Sequence, residues 1–183
     1  MKTKTLKFLT EIPRELDKDN IDSAIKKHKS LLEDIPLLVE GSNILDLFAI
    51  LKRYQMISGP YIGVSLFEAA NRIMTDLVIL FGIKKILSGE IPNLEIFSKF
   101  IVELGNENDN PHDIVSYSSG KTLIGEAFNV APSFFNVKKN KSYKKLLKSD
   151  QNPDFLILLC NSDSHDMVKE VGGVTIIKVD IEF

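Results

Sequence analysis

The spacing of apolar residues changes at Pro92, and this change constrains the fold of the 183-residue chain more than any other feature. Before it, apolar residues recur at intervals of three and four over residues 62–87, which predicts a long and deeply packed helix. After it, short apolar runs alternate with turn-forming residues, which predicts strands. A chain that contains both periods is predicted to have a mixed α/β fold.

The part of the chain after Pro92 is predicted to form a central five-stranded mixed sheet flanked by helices. Short connections make the first three strands antiparallel neighbours, and an amphipathic helix over residues 133–148 follows them. A continuous apolar run then predicts a strand that is covered on both faces. A short helix over residues 164–170 precedes the last strand. The five predicted strands are residues 100–104, 113–117, 121–130, 155–160 and 174–181.

Residues 1–60 are predicted to form a helical amino-terminal region. Asp19, Asn20 and Asp22 are typical of a helix start, and that helix runs through Leu32. A second helix is predicted over residues 44–54. We expect this region to pack on the α/β core of residues 61–183 as one compact domain, because a chain of this length suits a single domain.

The charge pattern indicates a cytoplasmic protein. The most apolar predicted helix also carries Glu68, Arg72 and Asp76, so we expect it not to span a membrane. Lysines near the amino terminus interrupt any apolar leader segment. The only cysteine, Cys160, lies in an apolar run, which is typical of a buried thiol in a reducing compartment.

Two carboxylates lie on neighbouring predicted strands. Asp113 begins the second strand, and Glu126 lies in the middle of the third among Leu, Ile, Ala and Phe side chains. A buried carboxylate must be neutralised, paired or bound to a cation, because an isolated buried charge costs several kcal/mol. The two strands form a hairpin, so both side chains are predicted to reach one Mg²⁺ ion.

This pair resembles the motif of the PD-(D/E)XK nucleases, which have the restriction-endonuclease-like fold. Twelve residues separate Asp113 from Glu126, and the resemblance covers roughly residues 62–181, including the order of elements. It implies Mg²⁺-dependent hydrolysis of DNA phosphodiester bonds, with the metal held by Asp113 and Glu126. It also implies a homodimer that cuts double-stranded DNA, as type II enzymes of restriction-modification systems do. A glutamate on the preceding helix often joins such sites, which implies a catalytic role for Glu68.

Two positions depart from the pattern of this family. His112 separates the proline from Asp113, whereas the family's proline directly precedes its aspartate. Phe128 stands where the family has the lysine that positions the attacking water. Some members supply that lysine from the following helix, and Lys138 or Lys139 is the residue expected to take this catalytic role.

A group of six lysines within eleven residues permits two interpretations. Lysines on an exposed helix face usually contribute only to solubility. Six of them without an intervening acid also suit the binding of DNA phosphates, because the release of counterions favours such binding. The candidate DNA-binding residues are Lys138, Lys139, Lys141, Lys144, Lys145 and Lys148.

Other interpretations stay open at this stage. Glu68, Arg72 and Asp76 are four residues apart, so they form either an ion-paired stripe or a face on which Glu68 points into a site. Phe128 favours a module that keeps the nuclease fold and binds DNA without cutting it. A third possibility is that the acids and lysines form structural salt bridges and that the protein has no role with nucleic acids.

Overall fold

A mixed sheet forms the centre of the protein. The computed structural model describes residues 11–33, 35, 43–105, 110–164 and 169–182, and within them the sheet has seven strands. The order of the strands across the sheet is β1-β2-β3-β4-β5-β7-β6. Their bounds are β1 (Glu15–Asp17), β2 (Lys99–Val102), β3 (Ile114–Ser118), β4 (Lys121–Phe128), β5 (Phe155–Asn161), β6 (Lys169–Val171) and β7 (Val174–Val179).

The directions of the strands divide the sheet into two parts. Strands β1 to β4 are antiparallel neighbours, which confirms the predicted meander. Strands β4, β5 and β7 are parallel, and β6 closes the far edge as the antiparallel neighbour of β7. The prediction of a mixed α/β fold is therefore confirmed.

The prediction of five strands was too low, because short strands lie at both edges of the sheet. Each of β1 and β6 has three residues, which is too short to show an alternating pattern in the sequence. The presence of β1 also means that the amino-terminal region is not entirely helical, as it was predicted to be. Its Leu16 is fully buried where β1 pairs with β2.

The short helix predicted over residues 164–170 is wrong at its carboxyl end. A 3₁₀ turn covers Ser162–Ser164, and β6 begins at Lys169; residues 165–168 lie outside the described part of the chain. Gly172 and Gly173 both have positive φ angles and join β6 to β7 as a two-residue hairpin. Glycine adopts this backbone conformation without a steric penalty, so the pair of glycines favours a strand before them.

Four α-helices lie within the described residues. They are α1 (Ile21–Glu33), α2 (Ile44–Arg53), α3 (Leu66–Leu87) and α4 (Phe135–Leu147), close to the predicted bounds. The hydroxyl of Ser65 accepts a hydrogen bond from the backbone N–H of Glu68 and caps α3. Among the described helices, none has both the length and the apolarity that crossing a membrane would require.

Two apolar cores, one on each face of the sheet, fix the position of the helices. Ile157 and Leu159 of β5 belong to the core that contains α3 and α1, whereas Leu158 and Cys160 belong to the core that contains α4. All four side chains are fully buried. This alternation confirms that the apolar run forms a strand covered on both faces, and it places α3 and α4 on opposite sides of the sheet.

Candidate active site

The β3–β4 hairpin brings Asp113 and Glu126 to the same end of the sheet. Ile114 pairs with Gly125 at the end of the antiparallel ladder. Asp113 immediately precedes Ile114 and Glu126 immediately follows Gly125, so both residues lie at this end of the hairpin. Asp113 Oδ2 accepts a hydrogen bond of 2.8 Å from the backbone N–H of Ala127, the residue after Glu126. The hairpin thus holds the two carboxylates that the sequence predicted as a pair.

The environment of Asp113 opposes its ionisation. Burial, together with the negative charge of Glu126, raises the pKa of Asp113 to about 6, and the hydrogen bond from Ala127 limits the rise. Two carboxylates that repel each other in a partly buried site gain free energy when a cation is placed between them. A cation near this hairpin end would therefore relieve the unfavourable charge of Asp113.

Glu126 is almost fully buried and has two partners on the α4 side of the sheet. Its side chain points in the same direction as Phe128, and its relative exposure is 5%. The ammonium of Lys145, on α4, lies 2.7 Å from both carboxylate oxygens. His112 Nδ1 lies 2.8 Å from Glu126 Oε1. Burial raises the pKa of Glu126, whereas Lys145 lowers it.

His112 extends this network to the end of α4. Its Nε2 lies 3.1 Å from the hydroxyl oxygen of Ser149, which follows the helix. Burial and the positive charge of Lys145 lower the pKa of His112, so the imidazole is neutral at neutral pH. The order Ser149–His112–Glu126 resembles that of a serine-hydrolase triad. Lys145 already neutralises the acid, however, and the negative end of the α4 dipole opposes a serine alkoxide. We therefore assign His112 to holding Glu126 in place.

The lysines of this patch have four kinds of surroundings. Lys145 contacts Glu126, as described above. Lys138 and Lys141 are exposed and line a cavity beside Asp113. The ammonium of Lys139 lies 5.8 Å from the centroid of the Phe135 ring. The two remaining lysines of the patch, Lys144 and Lys148, are exposed.

The cavity has a volume of about 740 Å³ and lies between α3, the end of β4 and the start of α4. Its wall contains Asp113 and Ala127, so it opens directly onto the hairpin end. Three more acids line it, namely Glu68, Asp76 and Glu103. Of the two predicted metal carboxylates, Asp113 thus faces this cavity and Glu126 faces α4.

The spacing of Glu68, Arg72 and Asp76 allowed either an ion-paired stripe or a face on which Glu68 points into a site, and Glu68 shows features of both. Its carboxylate forms an ion pair of 2.5 Å with Arg72, and both side chains line the cavity. Asp76, one turn further along α3, is instead buried. It accepts hydrogen bonds from the Tyr61 hydroxyl and from the backbone N–H of Gly105. The face of α3 that carries Glu68, Arg72 and Asp76 therefore runs from the edge of the cavity into the protein interior.

Phe128 fills the position of the expected lysine with an apolar side chain. It is 3% exposed, and its ring centroid lies 5.8 Å from that of Phe135, at an angle typical of an edge-to-face pair. It also packs in the same core as Ile124, which precedes Glu126 on this face of β4. A lysine at this position would have to be buried beside two aromatic or aliphatic neighbours.

The hairpin end offers carboxylate ligands of the kind that a hard cation prefers, although both oxygens of Glu126 already contact Lys145. Carboxylate oxygens are the ligands that Mg²⁺ prefers, and the ion commonly binds through one or two protein carboxylates. Asp113 and Glu126 supply two. Within the described ranges, no three His, Cys, Asp or Glu side chains are grouped as a complete metal site would need.

Sequence reasoning missed three members of this network. His112 was interpreted only as a departure from the family's motif, because it separates the proline from Asp113. In the structure, His112 contacts Glu126. Lys145 was predicted only as a DNA-binding residue, and Ser149 was not predicted at all. The helical spacing of Lys138, Lys141 and Lys145 places all three on one face of α4, but it does not tell which of them contacts Glu126.

Comparison with known proteins gives no further identification. No protein-family model, curated protein or solved structure shows a significant match to this chain. Its function is therefore inferred from the geometry of its own residues.

Proposed function

We propose that the protein is a magnesium-dependent nuclease that hydrolyses DNA phosphodiester bonds, as type II restriction enzymes do. The observation that carries the proposal is the end of the β3–β4 hairpin, which holds Asp113 and Glu126 on paired strands, with the ammonium of Lys145 in contact with Glu126. The order of elements supports it, since α3, the antiparallel strands β2 to β4, α4 and the parallel strand β5 follow one another as in the PD-(D/E)XK nucleases that the sequence resembles.

Asp113 and Glu126 are the residues proposed to hold Mg²⁺, which would polarise the phosphodiester and acidify a bound water. The chain itself orients both ligands. The backbone N–H of Ala127 fixes the Asp113 carboxylate, and His112 fixes that of Glu126. Such supporting hydrogen bonds set the direction of metal ligands and raise their affinity for the ion.

Lys145 is proposed to supply the positive charge that Phe128 does not. It comes from the helix that follows β4, where the resemblance led us to expect Lys138 or Lys139. Its ammonium contacts Glu126 directly, whereas Lys139 lies against the Phe135 ring and Lys138 lies at the cavity. We expect the side chain of Lys145 to orient the attacking water and to balance charge that develops at the phosphate.

A second candidate function is a module that binds DNA without cutting it. Two observations favour it, namely the buried Phe128 and the ion pair by which Lys145 neutralises Glu126. In this case the carboxylate network would hold the hairpin to α4, and the exposed lysines would bind phosphates.

Cleavage of DNA separates the two candidates. Intact plasmid, intact phage DNA and heat-denatured phage DNA are incubated with the protein in Mg²⁺ or in chelator. We expect fragments only in Mg²⁺, and we expect Glu126→Gln to abolish them. Calorimetric titration of the parent protein with Mg²⁺ provides a readout that does not depend on finding the right substrate.

The matched control is Asp150→Asn, because Asp150 is an exposed acid near the end of α4. This variant should cut DNA and bind Mg²⁺ as the parent does. Absence of both cleavage and Mg²⁺ binding would reject the nuclease proposal. If DNA were still retarded on a gel under those conditions, the non-catalytic module would be the function that remains.

A further inference from the structure

The cavity beside Asp113 carries exposed aromatic rings at its edge. Phe134 is 62% exposed and Phe67 is 46% exposed, and both line the cavity. An exposed phenylalanine loses the free energy that its burial would provide, and two at one opening form an apolar surface that water covers poorly. These rings come from different elements, since Phe67 lies on α3 and Phe134 lies just before α4.

The charges around the same cavity are arranged by depth. Lys138 and Lys141 are exposed on the side formed by α4. The ammonium of Lys52 lies 3.4 Å above the ring of Phe67, which adds a third cation at the opening. Asp76 and Asp113 lie deeper, since Asp76 is 3% exposed and Asp113 is partly buried at the hairpin end. The side chain of Glu68 is 49% exposed at the edge of the cavity and is paired with Arg72, so the lysines leave an excess of positive charge at the opening.

We propose that this cavity binds unpaired DNA, with bases stacked on Phe134 and Phe67 and with backbone phosphates on Lys138 and Lys141. Aromatic rings beside cations are what binding of single strands requires, because every base has a face that stacks and every nucleotide carries a phosphate. The proposal rests on the proposed function for the kind of polymer and goes beyond it for the form of that polymer, because type II restriction enzymes cut duplex DNA and this cavity is proposed to take an unpaired nucleotide.

The size of the cavity favours an unpaired strand over a duplex. A volume of about 740 Å³ lies within the range of pockets that enclose small ligands, which suits a single nucleotide. A base within an intact duplex is paired and stacked inside the helix, so it must leave the stack before it can lie on the ring of Phe134. A single nucleotide that stacks on Phe134 would place its phosphate between the cations at the opening and the carboxylate of Asp113.

Binding of matched oligonucleotides tests the proposal. A labelled single strand of about 20 nucleotides is longer than the roughly 4–16 that one single-strand module contacts. Its affinity is compared with that of the same strand paired to its complement. Fluorescence anisotropy is recorded in Ca²⁺, which occupies oxygen-ligand sites. We expect the single strand to bind at least about tenfold more tightly than the duplex.

Substitution of the exposed rings tests the stacking. Phe134→Ala and Phe67→Ala are each expected to weaken single-strand binding about tenfold. The matched control is Tyr117→Ala, because Tyr117 is also 62% exposed but lies on β3 away from the cavity. All three side chains are exposed, so the variants should keep the circular dichroism spectrum and melting temperature of the parent.

The outcomes separate this inference from the proposed function. Duplex binding as tight as single-strand binding, or equal effects of the Phe134 and Tyr117 substitutions, would overturn the inference. Metal-dependent cleavage that Glu126→Gln abolishes would leave the proposed nuclease intact in that case. Conversely, preferred single-strand binding that Phe134→Ala removes, in a protein that neither cuts DNA nor binds Mg²⁺, would support the inference and reject the nuclease.

Discussion

Asp113 carries a charge that its surroundings disfavour, and this sets a pH dependence for the single residue. Its pKa of about 6 lies above that of an unfolded aspartate, so its contribution to stability is present in acid and is lost as pH rises through about 6. Asp113→Asn keeps an oxygen that accepts the hydrogen bond from Ala127. In chelator at about pH 8, we expect the variant to be more stable than the parent by about 2 kcal/mol.

Thermal melts across the pH range measure this difference, which should disappear below about pH 4, where the parent carboxyl is protonated in both states. Asp150→Asn, at an exposed acid, should not change the profile. Mg²⁺ should reverse the order at about pH 8, because only the parent keeps both proposed ligands. A variant less stable than the parent throughout would contradict this account of Asp113.

Lys145 neutralises a carboxylate that would otherwise be buried with its charge uncompensated. Lys145→Met keeps the aliphatic part of the side chain and removes the ammonium. We expect a loss of about 1–2 kcal/mol at about pH 8, below the 3–5 kcal/mol of a fully buried pair. The reason is that the Lys145 side chain is 47% exposed and water screens the pair.

The loss should shrink as pH falls, because without Lys145 the raised pKa of Glu126 rises further and protonation relieves the buried charge. Urea unfolding at several pH values measures the effect. Lys144→Met, which removes an exposed ammonium from the same helix, is the control. Equal effects of the two substitutions would show that the contact with Glu126 does not stabilise the fold.

At the scale of elements, Gly82 allows α3 to lie close against the sheet, and Gly125 leaves room for side chains of the neighbouring strands. A Cβ atom on Gly82 of α3 would collide with the side chain of Leu159 on β5. A Cβ atom on Gly125 of β4 would lie 2.7 Å from a side-chain carbon of Ile157, which is also on β5. Both positions are therefore needed without side chains, although glycine lowers the propensity of α3 to be helical.

Gly82→Val tests this close approach. We expect a loss of about 2 kcal/mol from overpacking, measured by urea unfolding, because Leu159 is fully buried and has little room to move. Ala70→Val, at an exposed position of the same helix, carries only the smaller helix propensity of valine, about 0.5 kcal/mol. A similar cost at both positions would contradict the close packing of α3 on β5.

At the scale of the whole molecule, the amino-terminal region and the carboxylate site share one sheet. β1 pairs with β2, which pairs with β3 of the site hairpin, and α1 packs on α3. Because Leu16 is fully buried in the core that contains α3, its loss should destabilise the entire chain. We expect Leu16→Ala to lower stability by about 2–5 kcal/mol.

Differential scanning calorimetry measures how this loss is distributed. A single transition should move to lower temperature as one unit, in the parent and in Leu16→Ala alike. Ile57→Ala serves as the control in the same region, because Ile57 is 90% exposed and its removal should cost less than about 0.5 kcal/mol. Two transitions, of which Leu16→Ala moves only one, would mean that the amino-terminal region unfolds separately.

The sequence by itself determined the elements that have a long and regular pattern. The repeat over α3, the buried run of β5 and the short turns of the meander each predicted an element that the structure contains. It also predicted that Asp113 and Glu126 lie together, because a tight hairpin connects their strands. These features depend on neighbours within a few residues, and the hydrophobic period records such neighbours directly.

Only the tertiary structure decided which distant residues meet. Neither β1 nor the lysine that contacts Glu126 could be predicted, because each depends on a partner that the path of the chain brings close. Lys145 is one of six lysines in its segment, and spacing cannot say which of them α4 turns toward the sheet. The cavity with Phe134 at its edge likewise forms only when α3 and α4 pack on opposite faces of the same strands. The local hydrophobic pattern determines each helix or strand, whereas the candidate active site depends on contacts between elements that are distant in the sequence.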